Sequence, residues 1–352
     1  MKIVSVRSPY TITIAESGQI GSKVELYIWY KGQSVPTTAN YTLSKKIPSP
    51  TQIDTYYNVS NYVKEFISQD IYPEVNAPVV ADNKHWVNFR VKRFKLVGST
   101  YTELDSTDYV GINGYNDPLE GYNKIVNNTH FLCGSTAIKL QYNSIIPFYN
   151  FICERNATDN FNVKYYNKSG SLLSTNIFLT AGSTEIYNFC IPMVAGSDVV
   201  TAKICRASTV LYTINSQEIE EYKYNFNIIS FINKKGGWQT LFFFKKSSES
   251  ISVKSTEAKL NTSNPNYTVE AGQSRFFNFQ GTKTIKLNTG WVDENYSDLM
   301  TELLFSEKIL LNYSTPVKLK NKSFDLKTSI NDKMINYEVE FELDYNLIND
   351  VI

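Results

Sequence analysis

The chain has 352 residues, enough for two or three domains that each bury a core. Apolar residues make up 42% and charged residues 20%, a balance that excludes an intrinsically disordered chain. With 35 Lys and Arg against 34 Asp and Glu, the net charge of +1 excludes a whole-chain field that would attract nucleic acid or an anionic membrane.

Short runs of alternating apolar and polar residues follow one another along the chain, beginning at the N-terminus. A period of two with many Tyr, Val, Ile and Thr residues is typical of half-buried antiparallel strands. The clearest runs are residues 10–14, 23–30, 86–97, 161–166, 199–204 and 337–345. We therefore predict a mainly β protein of consecutive antiparallel β-sandwich-like domains. The first residues read as a strand and not as a signal peptide, and no segment approaches the length of a membrane span.

Two segments predict helices. Residues 61–67 follow Ser60, which we expect to cap a short helix. Residues 293–311 begin with acidic side chains, which favour the start of a helix because they complement its dipole. Leu299, Leu303 and Leu310 lie near one stripe of that helix, so we expect it to pack on a sheet through its leucine face.

Polar stretches that contain Gly, Asn, Asp and Pro predict the domain boundaries. In residues 105–124 these residues are spaced too closely for us to expect a long element, and residues 259–273 form a similar stretch. We therefore predict an N-terminal β-sandwich domain at residues 1–124, a second β domain at residues 125–258 and a smaller α+β unit at residues 259–352.

The residue types that carry most enzyme chemistry are few. The chain has two histidines and four cysteines: His85, His130, Cys133, Cys153, Cys190 and Cys205. None of the cysteines has the close spacing of a zinc site. His130 and Cys133 are three residues apart, so on a strand their side chains tend to opposite faces and do not form a catalytic pair. We interpret the cysteines as small buried thiols in strands and expect no catalytic residue, no cofactor and no metal site.

The stretch NKKGGWQTLFFFKKS, residues 233–247, predicts a hairpin turn followed by a strand with aromatic rings on both faces. One domain face covers only half of these rings. The second cover is either the C-terminal unit of the same chain or another subunit, and we favour a contribution from another subunit. The hypothesis places four side chains at or next to a subunit interface: Trp238, Phe242, Phe243 and Phe244.

Several phrases of aromatic, glycine and leucine residues occur at both ends of the chain. They are FINKKGGWQTLFFFKKSSESISV (231–253), NTGWVDENYSDLMTELLFSEKILL (288–311), PVKLKNKSF (316–324) and, within residues 8–67, SPYTITI, ELYIWYKG, YTLSKK and YYNVSNYVKEFI. Together they resemble structural tail proteins of bacteriophages that infect Bacteroidetes, including crAss-like phages.

This resemblance implies a virion protein, a tail component that assembles as an oligomeric ring, hub or baseplate-like part and connects tail proteins or fibres. The implied partners are copies of itself and other tail proteins, and the implied location is the virion tail, after synthesis in the host bacterial cytoplasm. The motifs hold no chemistry, so the resemblance transfers no catalytic residue.

Two other functions stay open at this point. The 25 tyrosines and four tryptophans would suit a receptor- or carbohydrate-binding tail adhesin, in which exposed rings stack on a host surface glycan. A tail-associated glycan hydrolase would need a carboxylate pair at a distance that the sequence does not give. We expect the structural role, with no enzymatic activity, no specific nucleic acid partner and no membrane span.

Overall fold

The computed structural model describes most of the chain, namely residues 2–47, 49, 51–68, 79–80, 83–126, 129–131, 137–141, 148–155, 158–180, 185–192, 199–219, 223–259, 268, 270, 272–292, 294, 296–321, 323 and 335–348. Strands dominate these residues, and the predicted mainly β fold class is confirmed. All six of the alternating runs are strands. None of the helices within these ranges has the length and apolar character needed to cross a membrane.

The chain forms two compact units, each made of two segments. The first unit comprises Met1–Ile219 and Ile232–Thr240, and the second comprises Glu220–Phe231 and Leu241–Ile352. The finer division into three domains with boundaries after residues 124 and 258 stays a prediction.

Nine strands and one short helix open the first unit. They are β1 (Lys2–Ser5), β2 (Thr11–Ile14), β3 (Gly21–Trp29), β4 (Tyr41–Lys46), β5 (Thr55–Asn58), α1 (Ser60–Lys64), β6 (Val79–Val80), β7 (Trp86–Val97), β8 (Thr100–Ile112) and β9 (Ile125–Val126). Six strands form a sheet in the order β4-β3-β7-β8-β1-β9, and β2 pairs with β5. Alternate residues of β3, namely Val24, Leu26 and Ile28, are buried in a core shared with β2, β5 and β7.

Strand β8 corrects the expectation of no long element over residues 105–124 for the first part of that stretch, residues 105–112. Its two aspartates lie directly opposite arginines of β7: Asp108 opposite Arg90, and Asp105 opposite Arg93. Arg90 donates hydrogen bonds of 2.6 and 2.9 Å to the two carboxylate oxygens of Asp108, and Arg93 makes the same kind of pair with Asp105. Because both carboxylates are paired across the strands, β8 continues through a stretch whose residues favour turns.

Helix α1 also differs from the expectation. It ends before the predicted residues 61–67 do, and Ser60 does not cap it, since Val59 is the N-cap residue and makes no side-chain cap hydrogen bond. The Ser60 hydroxyl instead accepts a hydrogen bond from the Tyr10 amide at 2.8 Å and donates one to the Ser8 carbonyl at 2.7 Å. It therefore ties the helix to the segment that precedes β2.

Eight further strands follow in the first unit: β10 (Thr129–Phe131), β11 (Ala137–Gln141), β12 (Phe148–Arg155), β13 (Phe161–Asn167), β14 (Leu172–Leu179), β15 (Glu185–Pro192), β16 (Val199–Arg206) and β17 (Thr209–Ile219). They form a four-stranded sheet with β6, in the order β10-β12-β15-β6, and a five-stranded sheet in the order β11-β17-β16-β13-β14. The described neighbours are antiparallel except for the pairs β1–β8 and β11–β17, which are parallel.

The remaining strands and a second helix belong to the second unit, except that the last residue of β18 and the first half of β19 belong to the first. These elements are β18 (Asn227–Ile232), β19 (Trp238–Phe243), β20 (Ser248–Lys259), β21 (Ser274–Val292), α2 (Tyr296–Leu304), β22 (Ile309–Leu311), β23 (Thr315–Leu319) and β24 (Ile335–Leu343). The strands form one sheet in the order β19-β18-β22-β23-β24-β21-β20.

Helix α2 confirms the helix predicted within residues 293–311. Leu299 and Leu303 are buried in one core cluster with sheet residues that include Val339 and Phe341. Leu310 is also buried, but it belongs to β22, because the chain leaves the helix after its ninth residue and returns to the sheet. The leucine face therefore packs on the sheet as expected, over a shorter helix.

Candidate assembly surface

The stretch that holds the consecutive phenylalanines forms the predicted hairpin, with β18 and β19 as its strands. The Asn233 amide donates to the Gly237 carbonyl at 2.9 Å, and the Gly236 amide donates to the Asn233 carbonyl at 3.0 Å. The Asn233 side-chain oxygen accepts hydrogen bonds from the Lys235 and Gly237 amides at 3.0 and 3.1 Å. These bonds fix the turn through one buried asparagine.

The four aromatic side chains singled out from the sequence are all buried, with at most 2% of the surface of any of them exposed. The Phe243 ring meets the Phe341 ring edge-on at a centroid distance of 6.0 Å and belongs to the core of the second unit. On the opposite face of the strand, Phe242 stacks on Phe244 at 5.9 Å and contacts Phe226 at 6.1 Å.

This burial corrects the hypothesis that Trp238, Phe242, Phe243 and Phe244 lie at a subunit interface. The hypothesis required one aromatic face of the strand to lack a cover from its own chain. Both faces are covered within the chain, so the physical reason for a second subunit there does not hold. The strand belongs to the internal core.

An exposed apolar surface lies instead on β20 and the first half of β21, which pair as a two-stranded ribbon. Along this ribbon Ile251 is 63% exposed, Val253 is 58% exposed and Phe276 is 52% exposed. Strand β24 pairs with β21 only from Thr284 onward, so the earlier residues of β21 have β20 as their described neighbour. The two strands therefore leave the sheet as a ribbon.

A β-bulge decides which side chains share a face of the ribbon. Val253 lies opposite Gly281, and Glu257 lies opposite Phe276. Val253 and Glu257 are four residues apart, so they point to the same face. Their partners are five residues apart and would point to opposite faces, but the bulge adds one residue to β21, where Asn278 has a φ of +52°. Phe276 therefore joins the face of Val253.

The C-terminal segment completes this face. A side chain at Gly281 would meet Leu347 at 3.3 Å, and the Leu347 amide donates to the Gly281 carbonyl at 2.9 Å. Leu347 is itself an exposed apolar residue. We call the surface formed by Ile251, Val253, Phe276 and Leu347 the apolar ribbon face.

The apolar ribbon face is a continuation of the core face of the sheet. Ile285 lies opposite Glu249 on the same face as Ile251, since alternate residues of a strand share a face, and Ile285 is buried in the core of the second unit. Beyond Ile285 this face carries the ion pair between Lys283 and Glu249, and the apolar side chains that follow it are exposed. Exposed apolar patches of this kind mark interaction surfaces in soluble proteins.

The sequence held only part of the signal for this surface. The alternation of Ile251 and Val253 with serines indicates a strand, and RFFNF (275–279) indicates another. Phe276 and Phe279 are three apart, so a regular strand would send them to opposite faces, and only the positive φ of Asn278 reveals the change of face. Which face lacks a cover depends on contacts between distant residues.

Groups that could carry chemistry are scattered. Among the described residues no three His, Cys, Asp or Glu side chains come close enough together to hold a metal ion. His85 is buried next to the start of β7. The structure describes only the main chain of His130, Cys153 and Cys190, and Cys133 lies outside the described residues.

Cys205 is a free, buried thiol in β16, which agrees with the interpretation of the cysteines as small core side chains. Burial raises the pKa of the Cys205 thiol, so the neutral form is favoured over the reactive thiolate. We expect iodoacetamide at pH 8 to modify Cys205 only after denaturant is added, as measured by peptide mass spectrometry. Rapid modification of Cys205 in the folded chain would contradict this expectation.

Comparisons with known proteins give little. No protein-family model and no curated protein matches the chain. A solved structure described as CBD12 from CALX1.2 is similar to 58% of this chain and to 76% of its own, at 10% identity and a TM-score of 0.18. A similarity this low carries no conclusion about fold or function.

Proposed function

We propose that the chain is a structural virion protein, a tail component of a bacteriophage that infects Bacteroidetes, and that it assembles with copies of itself and with other tail proteins. In this proposal it is not an enzyme and needs no cofactor or metal. Its place is the virion tail, and it is made in the cytoplasm of the host bacterium.

The observation that carries the proposal is the apolar ribbon face. Leaving one large apolar side chain in water forgoes about 1.5–3 kcal/mol of burial, and here Ile251, Val253 and Phe276 are more than half exposed on one face. A ribbon of this kind gains stability only when another surface covers it, as happens when a protein is a part of an assembly. The phrases that resemble those of tail proteins support the same role.

The proposal predicts that the chain is present in the particle. Quantitative mass spectrometry of purified virions of the encoding phage should detect it in several copies per particle, and cryo-electron microscopy should place it in the tail. Infected-cell lysate from which virions have been removed is the control, because an abundant contaminant would be enriched there.

Two results would contradict the proposal. One is absence of the chain from purified virions that contain the other tail proteins. The other is steady turnover of a host surface polysaccharide by the purified chain, abolished by a single carboxylate substitution, which would identify a glycan hydrolase.

A further inference from the structure

We infer that β20 pairs edge to edge with β20 of a second copy of this chain, antiparallel, with Ile251 of one copy opposite Val253 of the other. The inference rests on the proposed function, because it names the surface through which copies of the chain assemble.

Within the part of the chain that the structure describes, β20 is a free edge. It is the last strand of the seven-stranded sheet, and eleven of its 12 residues are exposed. At the other end of that sheet all six residues of β19 are buried. A head-to-tail contact that joins β20 of one copy to β19 of the next is therefore blocked, whereas β20 can meet β20.

Two other edge strands with exposed residues, β4 and β14, lack these properties. Strand β4 ends in Lys45 and Lys46, and lysines on an edge oppose pairing with another strand. Strand β14 exposes apolar side chains, but its pairing with β13 shifts register near both ends. Bulges twist an edge away from a partner, so only the centre of β14 keeps a regular pleat.

Strand β20 keeps its regular pleat in spite of the bulge in the ribbon. From Lys254 to Thr256 the chain advances two residues, while the opposite strand takes three, from Gln280 to Phe277. The extra residue therefore belongs to β21. The backbone groups of β20 that point away from β21 stay evenly spaced for a partner strand.

The side chains of β20 select one register. In an antiparallel pair the residues opposite each other share a face, so only every second register keeps the apolar ribbon faces of both copies on one side. With Ile251 opposite Val253, the pairing runs from Ser248 to Thr256, Ser252 lies on the twofold axis and Lys254 faces Ser250. Each aliphatic side chain thus meets another one, and no like charges face each other.

The neighbouring registers with the same faces are worse. One register sets Glu249 opposite Glu257, and another sets Lys254 opposite itself. Like charges directly opposite one another destabilise a strand pair. A third register has no like-charge pair, but it places Val253 opposite Glu257 and Ile251 opposite Lys259. The register with Ile251 opposite itself also has no like-charge pair, but it places Val253 opposite Glu249. Only the inferred register sets both Ile251 and Val253 opposite an aliphatic side chain while keeping like charges apart.

The size of the contact sets its expected strength. The paired segment is about 30 Å long, at about 3.4 Å per residue. It is smaller than the interface of about 20–30 residues per side that a stable dimer needs. We therefore expect weak pairing, with a dissociation constant in the micromolar range, that other tail contacts reinforce. A twofold contact joins copies in pairs, so closing a ring requires a second kind of contact.

Disulfide trapping tests the register. Residues opposite each other in an antiparallel pair have Cα atoms about 4.5–5.5 Å apart, which a disulfide can bridge. Under oxidation at about 50 µM, a concentration chosen for micromolar pairing, S252C should give a disulfide-linked dimer on a non-reducing gel. The matched control S250C changes the same residue type on the same face of the same strand. In the inferred register, residue 250 of one copy lies too far from residue 250 of the other for a disulfide. The unsubstituted chain gives the background from its own cysteines.

Sedimentation velocity tests the contact without cross-linking. Val253→Lys should weaken self-association at least tenfold and leave thermal unfolding unchanged, because residue 253 is exposed. Ser255→Lys adds the same charge two residues away but places it opposite Glu249 of the second copy. This control should therefore leave self-association unchanged or strengthen it.

The outcomes separate the inference from the proposed function. Three results would each overturn the inference. The first is equal trapping of S252C and S250C, and the second is equal weakening of self-association by the two lysine variants. The third is a chain that stays monomeric up to about 100 µM, well above micromolar dissociation constants. The proposed function would then still stand or fall on the presence of the chain in virions. Selective trapping of S252C together with absence from virions would support the pairing and refute the tail role.

Discussion

Leu303→Asp is expected to lower the free energy of unfolding of the second unit by more than about 4 kcal/mol. Leu303 lies in helix α2, is fully buried and belongs to the core cluster under the sheet. Removing a buried leucine side chain costs about 2–5 kcal/mol, and the carboxylate adds the cost of burying a charge without a partner. A typical domain is stable by about 5–15 kcal/mol, so this change is sufficient to unfold a marginal unit.

Hydrogen exchange measured by mass spectrometry is the suitable readout, because it reports on each unit separately. Peptides from residues 241–259 and 335–348 should lose protection in the Leu303→Asp variant, while peptides from residues 2–47 should keep theirs. Leu119→Asp is the matched control, since Leu119 is 95% exposed and the same substitution there should change little. Unaltered protection around Leu303 would show that the leucine face of α2 is not part of the core.

The strands and helices were largely predictable because they depend on local patterns. Alternation of apolar and polar residues, as in Val24, Leu26 and Ile28, records which side of a strand is buried. The hairpin after Asn233 was also predictable, because Gly-Gly in a short polar stretch between apolar runs favours a turn. Helix α2 was predictable from the acidic residues at the start of its segment and from its leucines.

The errors arose where distant residues decide the structure. Asp105 and Asp108 favour turns locally, but arginines on β7 hold them in a strand. The consecutive phenylalanines suggested a missing cover, yet the chain supplies it with rings as distant in sequence as Phe226 and Phe341. The sequence also did not reveal that β20 is a free edge among the described strands, for the same reason. Whether a strand has a neighbour is a property of the sheet order, which a local pattern does not contain.

Gly236→Ala tests whether the hairpin turn is fixed by close packing of its main chain against that of Asn113 and Gly114. Gly236 has a φ of +83°, a conformation that costs a residue with a Cβ about 1–2 kcal/mol. A Cβ at this position would also lie 2.6 Å from the Asn113 carbonyl carbon and 2.8 Å from the Gly114 nitrogen. These are main-chain atoms, so the overlap cannot be relieved by rotating a side chain.

Hydrogen bonds hold the two main-chain segments, the hairpin turn and residues 113–115, at this distance. The Tyr115 amide donates to the Lys234 carbonyl at 2.9 Å, and the Arg7 amide donates to the Gly114 carbonyl at 2.9 Å. Lys234 also forms an ion pair of 3.1 Å with Glu120. Making room for a Cβ would stretch this set of bonds, so overpacking should add about 1–3 kcal/mol to the conformational cost.

Gly32→Ala separates the two costs. Gly32 has nearly the same φ, +78°, but a Cβ there would have no atom within 4 Å. Both variants carry the conformational strain, and only Gly236→Ala carries the overlap with main-chain atoms. In urea unfolding, Gly236→Ala should therefore destabilise the first unit by about 1–3 kcal/mol more than Gly32→Ala does. Hydrogen exchange should also rise around residues 113–115 in that variant alone. Equal losses of stability in the two variants would mean that the turn and residues 113–115 are not in close main-chain contact, because conformational strain would then account for the whole effect.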